Sequence, residues 1–132
     1  MTYLFDTTAY SHLLQGNKAV ANILKDAETI FLPNVVIAEL KYGFMLGTRQ
    51  EENEQLLSRF IANQKIRVIL PDNATTDYFV SIAVFARKKG VQLSMHDLWI
   101  AALTEQWDIT LVTFDKDFEH LGYKNIKLKL ES

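Results

Sequence analysis

Four acids stand where a carboxylate could do chemistry: Asp6, Glu39, Asp97 and Asp115. Asp6 closes the apolar run TYLF, and Asp115 follows ITLVT after a single Phe. Asp97 lies three residues after Ser94, the S-x-x-D spacing that opens a helix. Glu39 falls inside a helical stretch, residues 34–47. At about 100° per residue, Val35, Val36, Tyr42, Gly43 and Leu46 fall within about 60° of it, while Lys41 points away. That spacing predicts an acid on an apolar face, which has to be paired, protonated or metal-bound. Each acid also has an ordinary role open to it. Asp6 could cap the next helix, Glu39 could pair with a buried Arg or Lys, and Asp97 could answer the helix dipole. Asp115 could be a turn residue, since TFDKD is good turn chemistry, and Asp117 competes with it for any functional role.

Taken together the four suggest one site. Carboxylates brought close raise one another's pKa, so a cluster of them is costly without a cation. Hard divalent cations take oxygen ligands, and Mg²⁺ or Mn²⁺ uses a few carboxylates with water and phosphate oxygens. Such a centre can activate water and neutralise charge on a phosphodiester under in-line attack.

The elements around these acids decide whether they can meet. Strands are predicted at Thr2–Phe5, Glu28–Leu32, Ile66–Leu70, Ile109–Thr113 and Ile126–Leu130. Helices are predicted near 7–15, 18–26, 34–47 (capped by Asn34), 50–63, 74–89 and from about Asp97 to Trp107. Gly90 is placed to cap the helix before it. Strands alternating with helices imply an α/β fold with a mostly parallel sheet and helices on both faces. In such a sheet the C-terminal strand ends and the adjoining helix starts converge on one crevice. The strand before Asp115 is expected to lie beside the first strand, which would bring Asp115 to Asp6.

Composition narrows the function classes. The length of 132 residues suits one domain, 1–132, and 48% hydrophobic residues argue against disorder. No apolar run is long enough to span a bilayer, and no basic-then-apolar leader opens the chain, so a cytoplasmic protein without a membrane partner is expected. The absence of cysteine excludes disulfides, thiol catalysis and cysteine-bound zinc. The net charge of −2 argues against a surface that coats nucleic acid, but setting the four acids aside leaves 14 basic residues against 16 − 4 = 12 acidic ones. Arg87, Lys88 and Lys89 could touch an RNA backbone or simply complement a helix end. Tyr42, Phe44 and Met45 exceed what one buried helix face needs and suggest a dimer contact or a partner's groove, unless the charged helix 50–63 covers them. Trp99 and Trp107 fit a core or a dimer contact equally.

The ordered set LFDT, IAELKYG, HDLWIAALT and LVTFDKDF resembles the PIN-domain ribonucleases, and within them the VapC-type toxins of toxin–antitoxin pairs. The resemblance runs along essentially the whole chain. It implies a three-layer α/β/α fold with a five-stranded parallel sheet, and Mg²⁺- or Mn²⁺-dependent endoribonuclease activity. It also implies a homodimer and a cognate antitoxin whose tail occupies the acidic groove. By motif, Asp6, Glu39, Asp97 and Asp115 match the family's four metal-holding acids, and Thr113 its hydroxyl beside the fourth. Two positions depart from the common pattern. Thr8 stands where Asn is frequent two residues after the first acid, and His96 where Asn is frequent before the third. Thr8 could still hydrogen-bond to the site, and His96 could orient Asp97, contact phosphate or merely cap its helix. These departures keep open an inactive scaffold that only binds a partner. A haloacid-dehalogenase-like phosphatase, suggested by LFD, would want a second Asp where Thr8 stands.

Overall fold

The computed structural model describes residues 1–123 and 126–130. In chain order they form β1 (Thr2–Phe5), α1 (Thr7–Leu14), α2 (Lys18–Asp26), β2 (Thr29–Pro33), α3 (Asn34–Leu46) and α4 (Gln50–Ala62). There follow β3 (Ile66–Ile69), α5 (Thr75–Lys89), α6 (Met95–Trp107), β4 (Thr110–Thr113), α7 (Asp117–Leu121) and β5 (Lys127–Leu130). The five strands form one sheet in the order β3-β2-β1-β4-β5, and every neighbouring pair is parallel.

This order answers where the site can be. From β1 the chain steps outward to β2 and β3, then returns through α5 and α6 to place β4 on the other side of β1. The direction of winding reverses between β1 and β4, and the C-terminal ends at such a reversal border an open crevice. In register, Phe5 pairs with Val112, so the segments leaving β1 and β4 emerge side by side. Asp6 and Asp115 are on those segments, as the predicted neighbourhood of their strands requires.

Successive strand residues point to opposite faces of a sheet. Leu4 and Phe5 are both fully buried, as are Leu111 and Val112, so helices cover both faces of the central strands. The β-branched and apolar runs read from the sequence are what such doubly covered strands demand. At the edge, β3 exposes Arg67 and Val68 between buried Ile66 and Ile69.

Two of the helix-end signals are borne out. Ser94 accepts a hydrogen bond from the Asp97 N–H at 3.1 Å and starts α6. Gly90 ends α5 in the left-handed region, φ 80°, and lets the Val91 N–H reach back to the Ala86 carbonyl. Helix α6 is buried nearly all round, with Leu98, Ile100, Ala101, Ala102, Leu103 and Thr104 inside. It packs on α5, where Trp99 meets Phe79 at 4.4 Å between ring centres. Trp107 packs on Phe31 and stays half exposed.

Three expectations are corrected. Asn34 is not the cap of α3 but its first residue; Pro33 precedes it and supplies no side-chain bond. The acidic loop after β4 winds into the short helix α7. Finally, α3 buries the stripe Val36, Leu40 and Phe44, four residues apart, and not the face that carries Glu39. Tyr42 and Leu46, predicted beside Glu39, are indeed on its side, but that side is turned outward, at 68% and 72% exposure. Among the described residues no helix is long and apolar enough to cross a membrane.

A candidate metal centre at the β1 and β4 strand ends

Asp6 is the deepest acid of the site, 3% exposed. The chain needs it locally, because its Oδ1 accepts the Ala9 N–H at 2.9 Å and so caps α1. Two hydroxyls complete its shell. Thr8 Oγ1 donates to Oδ1 at 2.7 Å, and Thr113 Oγ1 donates to Oδ2. Each hydroxyl has one proton, and both are spent on Asp6, so the 3.4 Å approach of Thr8 to Thr113 is a contact without a hydrogen of its own. Their oxygens then accept from the loop after β4: the Phe114 N–H reaches Thr8 at 2.8 Å and the Asp115 N–H reaches Thr113 at 2.9 Å. Thr8, the first departure from the common motif, therefore binds the first acid and the loop of the fourth at once.

Around this centre, Asp97, Asp115 and Asp117 each offer a carboxylate oxygen within 4.8 Å of the others. Asp97 comes from the first turn of α6. Asp115 and Asp117 come from the β4–α7 junction, where Asp115 Oδ1 accepts the Asp117 N–H at 2.9 Å. Asp115 and Asp117 both stand with Asp97.

The electrostatics follow from this crowding. Burial pushes the Asp97 carboxyl up to about 6, and the charges of Asp115 and Asp6 push the same way against the Ser94 and His96 interactions. Burial also raises Asp6, opposed by hydrogen bonds from Thr113, Thr8 and Ala9 and reinforced by the charge of Asp115. Asp6, Asp97 and Asp115 thus sense one another. The donor set is all oxygen, crowded and partly desolvated, which suits a hard divalent cation.

Glu39 stands apart from the three clustered acids and is exposed, its side chain at 45%. His96 Nε2 lies 3.4 Å from Glu39 Oε1. The alignment is not that of a hydrogen bond, and this buried nitrogen has no other partner among the described residues. His96, the second departure, thus approaches Glu39 and is the chain neighbour of Asp97. A cavity of about 850 Å³ runs alongside, lined by Arg87, Leu93, Ser94 and Leu98 among others, and none of the four acids lines it.

One further pair borders the site. The His12 ring lies on the Phe114 ring, 3.7 Å between centres and 6° between planes. No local signal in the sequence marks His12. Its relation to Thr8, four residues earlier on a helix, is legible, but its partner is about a hundred residues away in the chain.

Comparisons with known proteins identify the fold family. The model of the PIN domain matches residues 3–123. The chain belongs to the PIN domain family. Ribonuclease VapC2 of Rickettsia felis is 28% identical over 126 residues, covering 92% of each chain. Among solved structures, VapBC2 of Rickettsia felis bound to a fragment of promoter DNA superposes with a TM-score of 0.88 at 24% identity over 100% of both chains. VapBC-1 of nontypeable Haemophilus influenzae follows at 0.83, with 19% identity over 98% of both chains. At these identities the superpositions speak for the fold. Membership in the PIN family also sets aside the phosphatase reading, whose second Asp is here Thr8, a donor to Asp6.

Proposed function

We propose that this PIN domain is a divalent-metal-dependent endoribonuclease, the toxin of a toxin–antitoxin pair. The observation that carries the reading is the convergence of Asp97, Asp115 and Asp117 within 4.8 Å, beside a buried Asp6 whose every oxygen is held. Asp97 and Asp115 would hold Mg²⁺ or Mn²⁺ directly, with Asp117 beside them and Asp6 as the deepest ligand. Glu39 would act through water or through His96, at the exposed rim. A bound divalent ion would supply an activated water and offset charge on the phosphodiester. The protein's own work is to hold the acids ionised and aimed. Thr8 and Thr113 fix both oxygens of Asp6, and the two loop N–H groups keep Asp115 at the strand end. Such support is what makes a metal site geometrically exact.

The partner reading rests on α3. Tyr42, Met45 and Leu46 are exposed, between 68% and 72%, although α4 packs against the same helix. An apolar surface of this kind beside an acidic groove suits an antitoxin with an apolar helix and a basic tail. Phe44 is not part of it, being core at 9% exposure. A homodimer is the assembly we expect, measurable by sedimentation.

The test is cleavage of total RNA by the purified chain with chelator, Mg²⁺ or Mn²⁺, beside co-purification with the product of a short neighbouring gene. Metal-dependent endonucleolytic products are expected, suppressed by the antitoxin. Met45→Asp with Tyr42→Asp should weaken antitoxin binding while leaving cleavage intact. A folded, metal-loaded chain that leaves RNA whole would favour the inactive scaffold.

A further inference from the structure

The β4–α7 junction carries Thr113, Asp115 and Asp117, three groups of the site, yet it is a short irregular segment. Its backbone is tied to α1 by the Phe114 N–H on Thr8. Its one large side chain is tied by His12. The imidazole is fixed at both ends. Nδ1 lies 2.9 Å from the Thr8 carbonyl, which can only accept, so Nδ1 carries the proton. The ring face then lies almost parallel on Phe114. Thr8 is thus the shared anchor: its hydroxyl holds Asp6 and the Phe114 N–H, and its carbonyl holds the ring that covers the Phe114 side chain.

We propose that His12 is a positioning residue for the metal centre: its ring, braced on Thr8, clamps Phe114 and so sets the 113–117 segment that presents Asp115 and Asp117 to Asp97. The proposal deepens the metal-centre reading and rests on it. His12 touches none of the four acids in the structure's hydrogen bonds. Its effect travels through a side-chain stack and two backbone amides. Freed of the clamp, the segment would still fold, but the carboxylates would sample wider separations, and cation affinity would fall as expected for groups that orient ligands.

Two measurements on the whole chain decide it. The first is amide hydrogen exchange in metal-free protein. In His12→Leu, exchange at Phe114 and Asp115 should quicken about tenfold or more while amides in α3 and α6 keep their rates. In His12→Phe, which keeps an aromatic face, most of the protection should return. The second is Mn²⁺ affinity by calorimetry: His12→Leu should bind about tenfold more weakly and His12→Phe nearly as wild type. Unchanged exchange at Phe114 and Asp115, or a uniform rise across the protein, would overturn the clamp. So would Mn²⁺ affinity equal to that of wild type. A wild-type chain that binds no Mn²⁺ would instead sink the metal-centre reading, and the exchange arm would still decide whether His12 holds the segment.

Discussion

Two aspartates in this protein follow a strand, precede a helix and lean on a threonine, and they end in opposite states. Asp72 follows β3 and heads α5, where its Oδ1 accepts the Thr75 N–H at 3.1 Å and an amide hydrogen of Gln106 at 3.3 Å. Its carboxyl is held below the usual range, first by Gln106 and then by Thr75. Asp6 follows β1, heads α1, and is raised by burial despite three donors. Local sequence chemistry is nearly the same at both. What differs is the strand: β3 is the sheet edge and β1 its centre, at the reversal next to β4. Edge placement leaves an acid with solvent and neutral donors, which favour its charged form. Central placement adds burial and brings the charges of Asp97 and Asp115 into range, so the cap of α1 joins a crowded group of carboxylates.

The contrast is broken most severely at Asp97. Asn preserves its shape and removes a charge from the cluster. Cleavage of RNA should fall on the order of 100-fold or more. Metal-free stability should hold or rise, because the remaining carboxylates repel less, while the thermal shift on adding Mn²⁺ should shrink. An active Asp97→Asn protein with an undiminished Mn²⁺ shift would show that α6 contributes no ligand.

Next comes the hydroxyl beside each aspartate. Thr113→Val strips one donor from buried Asp6 and leaves the Asp115 N–H without its acceptor. A loss of about 1–3 kcal/mol in unfolding free energy is expected, with Mn²⁺ binding about 10- to 100-fold weaker. Thr75→Val removes the hydroxyl that donates to Gln106 at 2.6 Å, also in a fully buried site. It should cost comparable stability and leave Mn²⁺ affinity unchanged. Denaturant melts paired with calorimetry check both, and equal metal affinities for the two variants would erase the distinction.

The pH dependence should follow from the Asp97 shift. Its folded-state pKa of about 6 lies above the ordinary carboxyl value of 3.8, so the metal-free folded chain takes up a proton the unfolded chain has already lost. The contribution is full below about 4 and vanishes as pH rises through about 6, so metal-free stability should decline across that window. Screening of this part-exposed group limits the decline to about 1 kcal/mol. Asp97→Asn should flatten it, and a decline that survives the substitution would assign it elsewhere, Asp6 first.

Much of this contrast was legible in the residues. Apolar β-branched runs marked the strands, and the S-x-x-D box marked α6, because both are local rules of burial and capping. Adjacency of Asp6 and Asp115 followed from one topological step, the placing of β4 beside β1. The face that carries Glu39 turns outward for a physical reason: α3 is apolar on more than one side, so a wheel identifies its faces without saying which one meets the sheet. Helix α7 is too short for periodicity to reveal. His12 escaped because its meaning depends on Phe114, and that pairing exists only once α1 packs beside β4. Thr8 departs from the common pattern, and its hydroxyl still donates to Asp6.

The smallest expected effect is at Asp72, and its sign tests the comparison most directly. Asp72→Asn keeps an acceptor oxygen for the Thr75 N–H and removes only the charge. RNA cleavage and Mn²⁺ affinity should equal those of wild type, because edge strand β3 lies two strands away from β1 in the sheet. The melting temperature at neutral pH should drop slightly. Because the folded-state pKa is lowered, the charge contributes stability above the unfolded value of 3.8 and loses it as pH falls through the folded value. The gap between wild type and Asp72→Asn should therefore be present at pH 7 and close in acid. At Asp97 the trend runs the other way: the metal-free wild type loses ground to its Asn variant as pH rises. Parallel pH profiles of the two variants against wild type would show that sheet position does not separate these acids.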